Sequence, residues 1–265
     1  MKKDSAHNYF PEKLQQLSEW YYEPLGKALA YIEQQELDKI LPDLFGYHLL
    51  QIGSAGSIPL SASRILHKVV MGGVDQFPGN LIGIPEHMPI QPDCIDAVIL
   101  QHALDIANAP HQVLREAEQV LVPEGHIIIV GFNPYSFWGL RRLFSWRRRS
   151  APWNSHFLSA TRVRDWLALL GFKVLGTQYH FYRLPVNHSG MLTRFRFMER
   201  WSRKIWPIPG GVYIIVARKQ VSTMTPIKPR WRPARNIVTG LSDAASRSYK
   251  RETGQKNKAG NLNES

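Results

Sequence analysis

Cysteine is almost absent from this chain, because its 265 residues include only one, Cys94. A single cysteine excludes an internal disulfide and a cysteine-based metal cluster, so Cys94 is expected to be an ordinary residue beside a strand. No apolar run approaches the roughly 20 residues that a membrane-spanning helix needs. The first residues, MKKDSAHNYFPEK, lack the apolar stretch of a signal peptide. The sequence therefore predicts a cytoplasmic chain with no transmembrane segment and no bound metal.

Basic residues are scarce in the first half of the chain and acidic residues are scarce in the second. Residues 1–125 hold 8 Lys and Arg against 16 Asp and Glu, whereas residues 126–265 hold 25 against 5. The two halves therefore carry net charges of −8 and +20. Such asymmetry favours contact between the C-terminal half and an anionic partner: nucleic acid, a membrane surface or an acidic substrate. The alternative is a solvated basic tail that only aids solubility.

The middle of the chain contains a strand–helix–strand unit. Residues 95–100 and 126–132 are apolar, β-branched runs typical of buried strands, and residues 110–122 have helical apolar spacing. Two buried strands joined by one helix pair in parallel with a right-handed crossover. Ligands of such sheets bind outside the carboxyl ends of the strands. Those ends carry Gln101, His102, Asn133, Tyr135 and Trp138.

The remaining pattern predicts an α/β chain in three parts. Residues 11–44 have the spacing of a helix interrupted at Pro24 and Gly26, and the first part is a helical cap over residues 1–44. Residues 45–218 form the main domain, with a predicted crossover helix over residues 57–67. The first strand and its turn are predicted at residues 46–56, and further strands at residues 68–71, 81–84, 172–183 and 211–217. Residues 219–265 are polar and basic, which is typical of a disordered tail.

Several motifs of the main domain occur in a characteristic order. Met88-Pro89-Ile90 precedes Asp93 and the strand at residues 95–98, and the helix then leads into residues 120–125, VLVPEG. In this order and spacing the chain resembles the class I S-adenosylmethionine-dependent methyltransferases, in the small-molecule, type 11-like branch. Residues 132–139, with Ala151-Pro152-Trp153 and Asp165-Trp166-Leu167, resemble a narrower bacterial methyltransferase-like group of unassigned substrate. The resemblance covers roughly residues 45–218.

The resemblance implies a doubly wound, mostly parallel seven-stranded sheet whose last strand is antiparallel, and S-adenosyl-L-methionine as cofactor. The family's cofactor loop is an acidic residue, one further residue, and Gly-x-Gly-x-Gly. Here Gln51 stands in place of the acid, Gly53 matches, and Ala55 and Ser57 replace the later glycines, with Gly56 one position away. By this resemblance Gln51, Gly53, Ser54 and Gly56 would contact the methionine part of the cofactor.

The other site residues are also implied by the resemblance, and each has an ordinary structural alternative. Asp75 would bind the ribose hydroxyls or serve as a turn residue, and Glu86 would lie near the adenine. Gln101 would face the cofactor. His102 and Tyr135 are the candidate catalytic residues at the methyl acceptor. His102 would act as a base or contact the substrate, or would be a buried structural histidine. Asn133 and Trp138 would border the acceptor pocket.

Residues 138–153, WGLRRLFSWRRRSAPW, combine arginines with tryptophans and a phenylalanine. This combination can bind phosphates and stack on bases, or lie at a lipid headgroup boundary. The candidate contacts are Arg141, Arg142, Arg147, Arg148 and Arg149, together with the tail. The sequence thus predicts a methyltransferase of unknown acceptor. The alternatives are a catalytically degenerate methyltransferase fold that acts as a binding module, and a nucleic-acid-binding protein.

Overall fold

The computed structural model describes residues 9–53, 59–72, 79–144, 151–183 and 210–220. Residues 1–222 form one compact unit and residues 223–265 a second, so every described residue belongs to the first unit. The predicted tail, apart from its first two residues, lies outside the described part. Among the described helices, none is long and apolar enough to cross a membrane.

The described residues of the first unit form six α-helices and seven strands. The helices are α1 (Tyr9–Tyr21), α2 (Pro24–Ile40), α3 (Ala103–Ile106), α4 (Pro110–Val120), α5 (Phe137–Phe144) and α6 (Ala160–Leu169). The strands are β1 (His48–Ile52), β2 (His67–Gly72), β3 (Leu81–Ile82), β4 (Ile95–Gln101), β5 (Leu121–Phe132), β6 (Phe172–His180) and β7 (Val212–Lys219).

Seven strands form one sheet in the order β3-β2-β1-β4-β5-β7-β6. Strands β1 to β5 pair in parallel, with β1 beside β4 at the point where the strand order reverses. Strand β7 is antiparallel to both β5 and β6 and lies between them. The predicted doubly wound sheet with a reversed last strand is therefore confirmed. Its reversal point places the ligand-binding edge at the carboxyl ends of β1 and β4.

One predicted helix is wrong over most of its length. Of the predicted crossover helix at residues 57–67, residues 59–66 form turns and irregular backbone instead. The side chain of Ser63 explains part of this difference, because its hydroxyl accepts a hydrogen bond from the backbone N–H of Ile65 at 3.2 Å. Serine side chains that bond nearby backbone groups compete with the helical hydrogen-bond pattern.

The first two helices share the hydrophobic core of the sheet. Pro24 at the first position of α2 separates it from α1, as the sequence predicts. Both helices bury their apolar stripes: Phe10, Leu14, Leu17, Trp20, Leu25, Leu29 and Leu37 are all buried in the same cluster as the strands. Full burial of one leucine contributes about 1.5–3 kcal/mol, so these side chains hold the helices firmly on the sheet.

Candidate functional site

Two buried glutamines lie at the carboxyl ends of the two central strands. Gln51 is the fourth residue of β1 and Gln101 is the last residue of β4, and both side chains are buried. The Gln51 amide donates to the Gln101 side-chain oxygen at 3.1 Å, and the Gln101 amide donates to Glu33 at 3.0 Å. Glu33 belongs to α2, so this helix lies over the strand ends. A carboxylate therefore does occupy the edge where Gln51 lacks one.

The carboxylate of Glu33 is almost completely buried, with 1% of the residue exposed. It accepts hydrogen bonds from the Tyr21 hydroxyl at 3.0 and 3.2 Å, from Gln101, and from the ring Nε2 of His102 at 2.8 Å. Burial and the charge of Glu33 raise the pKa of Tyr21 well above its ordinary value, so the hydroxyl keeps its proton. A buried carboxylate needs such donors to offset its lost hydration.

His102 lies between two carboxylates and is fully buried. Its Nε2 is 2.8 Å from Glu33 Oε1 and its Nδ1 is 2.9 Å from Asp105 Oδ2. When both carboxylates are ionised they only accept, so both ring nitrogens then donate and the ring is an imidazolium. Burial lowers the pKa of His102, but the charge of Glu33 and the two hydrogen bonds outweigh it and raise the pKa to about 9. The ring also stacks on Phe132, with centroids 4.0 Å apart.

Asp105 connects this histidine to the neighbouring strand. Its Oδ2 also accepts from the backbone N–H of Phe132, the last residue of β5, at 3.0 Å. Burial raises the pKa of Asp105, and the hydrogen bond and charge of His102 oppose this increase. Two carboxylates and one imidazolium thus form a continuous charged network from α2 through α3 to β5. When both acids are ionised, the network carries one net negative charge.

Gly53 ends β1 in a conformation that favours glycine, with φ of 83°. A β-carbon at this position would clash with the carbonyl oxygen of Gln101 and lie 3.2 Å from Ala103. We therefore expect Gly53→Ala to lower the free energy of unfolding by about 2 kcal/mol or more, through backbone strain and this clash. Urea denaturation would measure the loss.

Gly176 offers a matched control for that substitution. An added β-carbon there meets no atom within 4 Å, so Gly176→Ala should be neutral or stabilise by up to about 1 kcal/mol. Equal stability of the two variants would contradict the close approach at Gly53.

Glu86 holds the loop that precedes α4. Its Oε1 accepts from the backbone N–H of Asn108 at 3.0 Å, and it is buried. Its Oε2 is also buried and has no hydrogen-bond partner among the described residues. An unpaired buried carboxylate oxygen is costly, so it is a natural acceptor for a donor group of a ligand such as an amine.

The residues predicted around the acceptor pocket differ in exposure. Asn133 is buried: its amide donates to the Gly210 carbonyl at 2.9 Å and its oxygen accepts from the Tyr135 backbone N–H at 3.1 Å. Trp138 is fully buried and donates to the Arg183 carbonyl at 3.3 Å. Tyr135 is exposed over 72% of its surface. Asn133 and Trp138 thus shape the end of β5, while Tyr135 is accessible.

The predicted cofactor contacts Ser54, Gly56 and Asp75 lie outside the described residues, as do Arg147, Arg148 and Arg149. Arg141 and Arg142 are described, and both lie over aromatic rings, with guanidinium-to-centroid distances of 4.9 Å to Trp153 and 5.0 Å to Phe157. The structure therefore brings together Gln51, Gly53, Gln101 and His102 at one edge, with Asn133 near the next strand end.

Sequence reasoning missed Glu33, Tyr21 and the pairing role of Asp105. A signal for Glu33 was present, because it stands four residues after Leu29 and four before Leu37, on the apolar stripe of its helix. A charged residue at a core position of a helix indicates a buried polar partner. The identity of that partner was not contained in this pattern.

Comparison with known proteins agrees with this geometry. Residues 74–129 match a methyltransferase domain family. The chain is 34% identical over 224 residues to the uncharacterised protein YafS of Escherichia coli, covering 81% of this chain and 89% of YafS.

Solved structures share the fold. A S-adenosylmethionine-dependent methyltransferase of Thermotoga maritima, described as a possible histamine N-methyltransferase, aligns with a TM-score of 0.57 and 18% identity over 80% of this chain and 99% of its own. A chain from the complex of the Haloferax volcanii Trm112 methyltransferase activator with a methyltransferase aligns with a TM-score of 0.55 and 13% identity over 82% and 98%. The chain therefore belongs to the same family as YafS, contains a match to a methyltransferase domain over residues 74–129, and shares its fold with S-adenosylmethionine-dependent methyltransferases.

Proposed function

We propose that this protein is an S-adenosylmethionine-dependent methyltransferase whose cofactor lies at the carboxyl ends of β1 and β4. The observation that carries the proposal is the buried carboxylate of Glu33, which lies at the strand ends where related cofactor loops have their acid. The charge that Gln51 lacks would thus come from α2. The strongest sequence argument for a degenerate site is the absence of an acid at Gln51, and a carboxylate supplied by Glu33 would compensate for that absence.

The described residues fit such a cofactor. S-adenosylmethionine carries a sulfonium and an ammonium, and when both acids are ionised the net negative charge of the Glu33–His102–Asp105 network favours a cation nearby. The free Oε2 of Glu86 fits the donor group of an adenine amine. Gly53 has no side chain, so the backbone at the start of the expected cofactor loop can approach a ligand closely. The roles of Ser54, Gly56 and Asp75 stay predictions.

When bound, the cofactor supplies a methyl group that is already activated on its sulfonium. The chain would then have to bind and orient the acceptor and exclude water from it. For His102 the geometry favours a positioning role over proton acceptance, because a ring that already donates from both nitrogens has no free lone pair. Tyr135 is the exposed candidate for contact with the acceptor, whose identity is open.

Calorimetric titration with S-adenosylmethionine and S-adenosylhomocysteine tests this proposal. We expect micromolar affinity, which corresponds to about −8 kcal/mol, and a loss of about tenfold in Glu86→Gln. Asp43→Asn, at an exposed position before β1, is the control and should bind as the wild type does.

Absence of binding up to millimolar concentrations would reject the methyltransferase proposal and favour the binding-module alternative. Binding of both ligands with no effect of Glu86→Gln would retain the function and remove Glu86 from the site.

A second candidate function is contact with an anionic partner. The observation that favours it is the position of Arg141 and Arg142 on a surface helix, both partly exposed and held over aromatic rings. Contact driven by phosphates should weaken steeply as salt rises. The cytoplasmic location stays a prediction from the sequence.

A further inference from the structure

Helix α5 turns leucines toward solvent on the side away from the core. Leu140 is 52% exposed and Leu143 is 73% exposed, whereas Trp138 of the same helix is fully buried. At about 100° per residue, Leu140 lies roughly 200° and Leu143 roughly 140° around the helix axis from Trp138. A surface helix in water normally presents polar residues there. The outer side of α5 is therefore suited to an apolar environment.

Cations flank this leucine side. Arg141 and Arg142 lie between the leucines and the buried tryptophan in the helical projection, and their guanidinium groups stack on Trp153 and Phe157. Stacking restricts these long side chains, so less conformational entropy remains to be lost on binding. The chain between Glu124 and Asp165 contains seven arginines and no acidic residue. Nothing nearby in the sequence neutralises the positive charge.

We propose that the surface formed by Leu140 and Leu143 on the outer side of α5, the flanking Arg141 and Arg142, and the preceding Tyr135, called here the α5 face, docks on an anionic lipid bilayer. Exposed leucines beside arginines and a tyrosine are the composition of interfacial helices, in which apolar side chains enter the acyl boundary and cations contact the headgroups. A nucleic acid would use the arginines but would gain nothing from leucines that point outward. The observations therefore favour lipid over nucleic acid.

The α5 face follows directly from the carboxyl end of β5. Asn133 directly follows the strand and accepts a hydrogen bond from the backbone N–H of Tyr135, so docking would place this edge of the sheet toward the lipid surface. An eight-residue helix with two exposed leucines buries little area, so we expect weak and reversible binding. The inference does not depend on the proposed methyl transfer.

Sedimentation of the full chain with lipid vesicles tests the inference. The vesicles contain phosphatidylcholine alone or phosphatidylcholine mixed with anionic phosphatidylglycerol. We expect binding to the mixed vesicles only, and a loss of about tenfold or more in the double variant Leu140→Glu, Leu143→Glu. The matched control is Leu169→Glu, Leu175→Glu, two leucines that are 84% and 51% exposed elsewhere. Its binding should equal that of the wild type.

Each other outcome would overturn the inference. Wild-type binding by the α5 double variant would assign the lipid contact to the basic tail, which that variant retains. Equal losses in both double variants would show a non-specific effect of added charge. Failure of the wild type to bind mixed vesicles, together with binding to duplex DNA that falls with salt, would assign the arginines to nucleic acid.

Discussion

Replacing Glu33 with glutamine is expected to lower the free energy of unfolding by about 3–5 kcal/mol, because it removes one partner of a buried ion pair. The substitution keeps the side-chain volume but leaves His102 with one carboxylate instead of two. It also places an amide NH₂ against the ring N–H of His102 or the amide of Gln101, donors that cannot accept a hydrogen bond from it. Urea denaturation followed by circular dichroism would measure the change.

Glu19→Gln is the matched control for this experiment. Glu19 is exposed on α1 and accepts only from Gln15, at 3.3 Å, in the described structure. Loss of such a surface contact should change stability by no more than about 0.5 kcal/mol. If Glu33→Gln were as stable as Glu19→Gln, the network at the strand ends would not exist as described, and the proposed replacement of the missing acid would lose its basis.

Stability is expected to fall as the pH rises from about 6.5 to about 9, by roughly 3 kcal/mol. The pKa of His102 is about 9 in the folded chain, above its ordinary value of 6.5. A group with a raised folded pKa contributes its full stabilisation below the unfolded pKa and loses it as the pH passes through the folded pKa. The decline should therefore span this interval.

Other buried groups change stability in the same direction. Because the pKa of Asp105 is raised in the folded chain, its ionisation also lowers the stability as the pH rises. The raised pKa values of Tyr21 and Tyr213 add a further loss of stability above pH 10, which is the ordinary pKa of tyrosine. Denaturation midpoints measured across this pH range would show the decline. His87→Gln, at an exposed position, should keep it, while His102→Gln should lose the part between about 6.5 and 9. A flat wild-type profile would contradict an imidazolium at this position.

Much of the fold could be predicted from local pattern. The apolar runs of β4 and β5 and the helix between them have one packing solution, a parallel pair with a right-handed crossover. The interruption between α1 and α2 followed from Pro24 because proline lacks the N–H that a helix interior requires. The predicted crossover helix is wrong over residues 59–66, where the Ser63 hydroxyl binds the backbone N–H of Ile65 and competes with the helical hydrogen-bond pattern.

The candidate site was likewise predictable in part from local pattern. The sequence by itself determined that Gln51, Gly53, Gln101 and His102 meet at one edge, since parallel strands bring their carboxyl ends together. It also showed that Gln51, an amide, stands where the cofactor loop of the resembled family has its acid. Only the tertiary structure decided that Glu33 supplies a carboxylate there and that His102 is held between two acids. Glu33 and His102 are 69 residues apart, and periodicity describes which face of an element is buried but not which distant side chain it meets.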